Sequence, residues 1–386
     1  MKVAFCIRPK NYAGGDMVQA EKTKEYLQQL SPCLIIEILD TPQSLDNTFD
    51  IAHIFNYSTA SITNLYFERA IELHIPIVSS PIYWDYSYSQ PSIPAFILTK
   101  GFISATKMEF GRCFNSLISY IPLGIVKKYF FAISRQFRKN IHYYIDNSKF
   151  ILPNSIEEGV LCYKFARYKD PSFKKIRVVF NGVDLSNVKI LEKNTFFEKY
   201  NIPENYILQV GRIEFPKNQI NLIEAMKKKP DIPIVFLGSW NDNSVYYKRV
   251  KTAAKERGNV YFVKNVPHDE VYSFYFYART HVLLSFRESP GLVSLEALSQ
   301  KCPIVIPDER FLPVDTYFKN KPSVEIVDLF DKVSIVDGVM RSYNKPHVDV
   351  DLSELSWKEV AKATLNVYEE VMLCNNYDTP NNERRL

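Results

Sequence analysis

Short apolar runs alternate with stretches of helical periodicity along almost the whole chain, and no other feature constrains the fold as strongly. In the first half the runs are "KVAFCI", "CLIIEIL", "IAHIF", "IPIVSS" and, further on, "KFILPNS" and "KIRVVFNGVD". Between them lie "DMVQAEKTKEYLQQL", with Val18, Tyr26, Leu27 and Leu30 as its apolar positions, and "SITNLYFERAIEL". Apolar runs of strand length separated by helices predict a parallel sheet covered on both faces. A second alternation follows: "YILQV", a helix over 217–229, "IPIVFLG", a helix over 244–256, "NVYFV", a helix over 268–277, "HVLLS", a helix over 290–300, "CPIVIP" and "SVEIV". The fold class is therefore α/β with two doubly wound, Rossmann-like domains facing a central cleft. Ligands are expected there, at the carboxyl ends of the strands.

The expected boundaries follow from these patterns. Residues 1–182 form the first domain, with a basic aromatic insertion at 96–149. The polar stretch 183–205 is a linker, and 206–355 is the second domain. An amphipathic helix over 356–374 carries Trp357, Val360, Ala361, Leu365, Tyr368 and Val371 on one stripe and packs back towards the first domain. A mobile tail at 375–386 ends the chain. A length of 386 residues suits two such cores.

Composition narrows the setting. The six cysteines have no CxxC spacing, and several sit in apolar strands, so reduced buried thiols are expected rather than a disulfide frame or a zinc site. The chain shows neither a secretory leader nor an apolar run of about 18 residues. A cytoplasmic protein is the expectation. The net charge of +5 is concentrated in the first half, where residues 96–149 hold nine basic and two acidic side chains among many aromatics. Such a segment suits peripheral contact with an anionic membrane at the inner face of the plasma membrane, or a solvated helical face. Nothing resembling a nucleic-acid module accompanies it.

The chemistry concentrates in "SFRESPGLVSLEALSQKCPIVIPD", Ser285 to Asp308. Ser289 is expected to cap a helix and Pro290 to take its first position. The backbone amides near Gly291 and Leu292 then make a seat for phosphate. Glu288 precedes the seat and Glu296 lies roughly 9 Å along the axis, at 1.5 Å per residue. One carboxylate can accept hydroxyls of a sugar and the other those of a ribose. In "ILQVGRIEFPKNQINLIEAM", Gly211 turns the chain, and Arg212 and Lys217 leave the strand end five residues apart. Two cations there could neutralise a departing diphosphate without a metal.

Gly211, Arg212 and Lys217, the Glu288–Glu296 pair, "PNSIEEG" and "VVFNGVD" together resemble a family 4 glycosyltransferase, a retaining enzyme of the two-Rossmann-domain GT-B type. The resemblance covers most of residues 1–375 and is strongest over 176–308. It implies that Arg212 and Lys217 bind the donor diphosphate, Glu296 the ribose and Glu288 the transferred sugar. It also implies that amides from Gly291 to Val293 complete the pocket, and that "KNVPH", with Val266, lies near the base. Gly14 and Gly15 in "NYAGGDMVQ" look like the family's glycine loop. In "SSPIYWDYS" the acceptor-side candidates are Tyr83, Trp84 and Asp85.

The implied activity is transfer of a sugar from a nucleotide diphosphate donor, UDP-linked by preference and GDP-linked otherwise, to a glycan or lipid-linked acceptor of a surface polysaccharide. No cofactor or metal is implied, and Arg212, Lys217 and Glu288 are the catalytic residues. Two other readings stay open: a nucleotide-sugar 2-epimerase on the same fold, and a non-catalytic sugar-nucleotide-binding subunit of a polysaccharide-assembly complex. His53 is expected to be a buried, hydrogen-bonded histidine, and Asn181 to organise a turn. The Asp349–Asp351 "DVD" lies too late in the chain for a metal site at the cleft.

Overall fold

The structure, a computed structural model, describes residues 1–9, 15–84, 123–169, 172–185 and 188–378. Two compact units divide the chain. The first joins residues 1–83 and 122–182 to the chain's end from residue 354; the second includes Trp84 and residues 183–353.

The first unit is built on a parallel sheet of β1 (Lys2–Cys6), β2 (Ile35–Leu39), β3 (Ile51–Phe55), β4 (Ile77–Ser80) and β5 (Phe150–Ile151), in the order β2-β1-β3-β4-β5. Every residue of β3 and β4 is buried, the mark of strands covered on both faces. Helices α1 (Gly15–Leu30), α2 (Ala60–Glu72), α3 (Leu123–Asn147) and α4 (Ile156–Ala166) supply the cover. The C-terminal helix, Trp357–Asp378, packs on α1 and adds Trp357, Val360, Ala361, Tyr368 and Val371 to the core of Phe5, Ala20 and Leu27. Its first turn rests on Gly182, where any side chain would collide with the Trp357 ring. Arg177 clamps its far side through Glu370, Nη2 to Oε1 at 2.6 Å.

His53 lies in this core as expected, with Nδ1 2.6 Å from the Tyr368 hydroxyl and Nε2 2.8 Å from Ser80 Oγ. Burial lowers its pKa to about 3, so it is neutral. The described part of the basic aromatic insertion is helical. Over 135–147 it is the second half of α3, and Phe137, Ile141, Tyr144 and Ile145 are buried against the unit. Arg135 and Lys139 are exposed there, while Arg138 is half-buried with its guanidinium 5.7 Å from the Phe165 ring centroid. Residues 96–122 of the insertion lie outside the described residues.

The second unit has six parallel strands, β6 (Ile207–Val210), β7 (Ile234–Leu237), β8 (Val260–Val263), β9 (Thr280–Val282), β10 (Ile304–Pro307) and β11 (Val324–Val327), ordered β11-β10-β9-β6-β7-β8. Its helices are α5 (Lys193–Tyr200), α6 (Gln219–Ala225), α7 (Val245–Arg257), α8 (His268–Tyr277), α9 (Leu292–Ser299), α10 (Val314–Tyr317) and α11 (Lys332–Tyr343). The 183–205 stretch, expected as a linker, contains α5, which buries Phe196 against Phe274 and Tyr277. The helix expected over 217–229 is split: a 3-10 turn at Phe215–Lys217 meets α6 through Asn218 in the left-handed region, and a second 3-10 turn follows.

Candidate functional site

The site begins where β6 ends. Gly211 has φ +142°, and a side chain on Gly238 would overlap its carbonyl oxygen, so the ends of β6 and β7 meet at two glycines. Two buried glutamines then fix the turn. Gln209 donates to the Lys217 carbonyl at 2.7 Å, and Gln219 to the Arg212 carbonyl at 2.9 Å. A Cβ placed on Gly211 would contact the Lys217 stem at 3.6 Å, which shows that the lysine folds back across this glycine.

Lys217 ends on Glu288, Nζ to Oε1 at 2.5 Å, with side chains only 22% and 12% exposed. Backbone hydrogen bonds bring the two loops together. Phe286 N–H donates to the Pro216 carbonyl at 2.8 Å, and Glu288 N–H to the Phe311 carbonyl at 2.8 Å. Phe215 stacks on Phe286 with ring centroids 5.4 Å apart. The cation and the carboxylate are thus fixed by their backbones, not only by mutual attraction.

The helix start differs from the expectation. Ser289 and Pro290 neither cap nor open the helix: their peptide bond is cis, Gly291 takes φ +91°, and α9 begins at Leu292. A side chain at Gly291 would come within 3.1 Å of Leu283 Cδ2 and 3.6 Å of Glu288 Cβ. The turn therefore lies against the Glu288 stem, and only glycine suits both the dihedral and the space. The Gly291 carbonyl accepts the Ser294 N–H, which leaves the amides of Leu292 and Val293 among those a helix cannot satisfy internally. Glu296, inside α9, accepts a hydrogen bond from the Tyr275 hydroxyl at 2.9 Å.

Other expected site residues fall elsewhere. Arg212 is 56% exposed and pairs with Glu214 at 3.1 Å, so it is not on the Lys217–Glu288 pair. Val266 is half-buried in the loop after β8, where Lys264 lies 4.8 Å over the Trp240 ring. Gly15 is the exposed first residue of α1, and Gly14 and Asp85 lie outside the described residues. Tyr83 and Trp84, expected to face an acceptor, are 2% and 3% exposed. Tyr83 is packed near Phe137 and Phe165, and the Trp84 indole donates to the Arg310 carbonyl at 3.1 Å, so neither offers a ring face to a ligand.

Several residues of the site went unread in the sequence. Gln209, a polar residue in the apolar "YILQV", was the one with a visible signal. His281 on β9 is fully buried, and among the described residues neither ring nitrogen has a hydrogen-bond partner. Burial, reinforced by the nearby Lys217 charge, lowers its pKa to about 3. Among the described residues no three His, Cys, Asp or Glu side chains are placed to hold a metal. Asp349 pairs with Lys301 at 2.8 Å, and Asp351 accepts the Ser353 N–H.

Several known proteins are similar to this chain. The family model described as glycosyl transferases group 1 matches residues 192–344, which include Arg212, Lys217, Glu288 and Glu296. An uncharacterized glycosyltransferase of Methanocaldococcus jannaschii is 29% identical over 217 residues, 51% of this chain and 55% of that protein. The O-antigen chain mannosyltransferase B of Escherichia coli is 25% identical over 247 residues, 61% of this chain and 64% of that protein. The matches thus span between half and two thirds of these relatives. In fold, the chain is similar to sucrose-phosphate synthase from Thermosynechococcus elongatus, with TM-score 0.70 and 13% identity over 97% of this chain and 99% of that one. It is also similar to Anabaena HepE in complex with UDP and glucose, with TM-score 0.62 and 11% identity over 96% and 99%. The chain has the GT-B architecture of two Rossmann-like domains, and its residues 192–344 match the family model of glycosyl transferases group 1.

Proposed function

We propose that the protein is a retaining glycosyltransferase that moves a sugar from a nucleoside diphosphate donor to a hydroxyl of a glycan or lipid-linked acceptor in surface polysaccharide assembly. The observation that carries this reading is the Lys217–Glu288 pair at the ends of β6 and β9, with the start of α9 packed against it. Donor cleavage places negative charge on the leaving diphosphate and positive character on the anomeric carbon. Lys217 and the first amides of α9 supply fixed positive potential for the diphosphate. Arg212, exposed and paired with Glu214, adds a second cation when the donor arrives. Glu288 accepts sugar hydroxyls and Glu296 ribose hydroxyls.

Retention without a protein nucleophile requires attack on the face that the diphosphate leaves. A diphosphate oxygen takes the acceptor's proton as the C–O bond forms. The E. coli relative named as an O-antigen chain mannosyltransferase supports the polysaccharide setting, and the UDP complex of the Anabaena fold neighbour supports a nucleoside diphosphate. UDP-sugars are the first donors to test, then GDP-sugars. Incubation with each donor and a lipid-linked glycan should release the nucleoside diphosphate and give a product whose new linkage keeps the donor's anomeric configuration by NMR. Release of a free 2-epimer without acceptor would replace this reading with the epimerase.

A further inference from the structure

The charge of the second unit is divided. Residues 227–264, which run from the turn after α6 through β7 and α7 to the end of β8, hold nine basic and three acidic side chains. Residues 265–353 hold nine basic and thirteen acidic ones. Because β8 is an edge of the sheet, the positive half forms one side of the unit. Helix α7 gathers most of it. Tyr247, Val250 and Ala254 bury one face, and the buried Arg257 donates to the carbonyls of Met226, Lys229 and Ile232. The opposite face carries Lys248, Arg249, Lys251 and Lys255, all exposed. Among the described residues none of these four has a carboxylate within ion-pair distance, and Glu256, the one acid of α7, pairs with Lys227 at 3.6 Å. Val245, 74% exposed, stands one turn before Lys248 and Arg249. That first turn is tied to the turn of Lys217: the Tyr246 hydroxyl accepts the Ile220 N–H at 3.3 Å, and the Tyr246 ring meets Phe215 edge-on with centroids 5.9 Å apart.

We propose that the exposed face of α7 is a docking surface for anionic phospholipid, which brings the strand-end site of the second unit to a membrane. Lys248, Lys251 and Lys255 follow one another at i, i+3 and i+7, a stripe about 10 Å long at 1.5 Å per residue. Like charges at that spacing oppose the helix, and an anionic surface removes the repulsion. A lipid surface suits the face better than a nucleic acid does. The cations have no exposed aromatic ring between them on which a base could stack, whereas Val245 offers an apolar contact at headgroup depth. The start of α7 lies at the carboxyl ends of the strands, as Lys217 does, so docking there presents that end to the lipid. The link to a lipid-linked acceptor rests on the proposed function; the lipid contact itself does not.

The test is sedimentation of the full chain with vesicles of phosphatidylcholine alone and of phosphatidylcholine mixed with phosphatidylglycerol, over a range of salt. The wild type should bind the anionic vesicles only, and binding should weaken as salt rises. Lys248→Gln, Arg249→Gln, Lys251→Gln and Lys255→Gln together should weaken it about a hundredfold or more at an unchanged melting temperature, since all four side chains are exposed. Lys248→Arg, Lys251→Arg and Lys255→Arg together should keep it. Arg135→Gln with Lys139→Gln, on the exposed side of α3, should leave it unchanged. Anionic vesicles bound equally by the wild type and the quadruple Gln variant, or lost in the α3 variant, overturn the proposal. Binding of a short DNA duplex at a salt where vesicles are not bound assigns the face to nucleic acid and overturns it too. Vesicle binding through α7 by a protein that transfers sugar to no acceptor upholds this surface and overturns the functional reading alone.

Discussion

Lys217 Nζ and Glu288 Oε1 stand 2.5 Å apart, although one leaves the end of β6 and the other follows β9, 71 residues later. Each is held by its own backbone, through the Phe286–Pro216 and Glu288–Phe311 hydrogen bonds. The two charges that the proposed reaction uses on phosphate and on sugar therefore neutralise one another in the protein alone. Binding a donor means exchanging that pair for two new partners, and this governs what substitutions there should do.

Lys217→Ala should lower transfer by about 100- to 1,000-fold, the scale seen when one fixed donor is taken from a developing charge. The pair is only partly buried, so its loss should cost about 1 kcal/mol of stability. Arg212→Ala, at a 56% exposed side chain, should leave the melting temperature unchanged and reduce transfer as well. Steady-state rates and thermal melts on both variants check this.

Glu288→Gln should move the two properties in opposite directions. With its carboxylate neutralised, Lys217 is released for phosphate, and affinity for free UDP or GDP should rise about fivefold to tenfold, the worth of one such pair. Transfer should fall, because the sugar loses its acceptor carboxylate. In a Lys217→Ala background the same substitution should no longer strengthen binding, and calorimetry on the double-mutant cycle reads that coupling.

Gly291→Ala should destabilise the protein by about 1–2 kcal/mol, since an alanine at φ +91° is strained and its methyl would press on Leu283. Because Gly291 also lies against the Glu288 stem, donor affinity should fall along with the denaturation midpoint. Denaturant titrations with and without UDP separate the two effects.

Acid stability should report the two buried histidines. His53 and His281 have folded-state pKa values lowered from 6.5 to about 3, so the native state binds fewer protons than the unfolded chain in this range. Their contribution is complete above pH 6.5 and is lost as pH falls towards 3, at up to about 1.4 kcal/mol per pH unit for each. His281→Leu should flatten part of that slope. It should also stabilise the protein at pH 7 by about 1 kcal/mol or more, because both ring nitrogens of His281 lack partners among the described residues. His53→Leu should destabilise instead, since it breaks the bonds to Tyr368 and Ser80.

The alternation of apolar runs made both sheets legible, since strands such as "IAHIF" and "IPIVFLG" have no other economical burial. The stripe from Trp357 to Val371 likewise marked a packing helix. Glu288 and Lys217 were legible as chemistry, but their contact was not, because it depends on backbone bonds between residues 216 and 286 that no local pattern encodes. The start of α9 was misread because Ser-Pro before an apolar run signals a cap. Here a cis peptide bond and a left-handed glycine intervene. The helix over 217–229 was misread for a related reason: Asn218 in the left-handed region breaks a pattern that is otherwise helical. Tyr83 and Trp84 drew attention as aromatics in a loop, and their burial is tertiary information.

A crystal structure of the protein with bound UDP tests the central claim most directly. The β-phosphate should lie within hydrogen-bonding distance of Lys217 Nζ and of the amides at Gly291 to Val293, with Glu296 on the ribose and Glu288 released from the lysine. A nucleotide bound away from the start of α9, with Lys217 and Glu288 still paired, would contradict it.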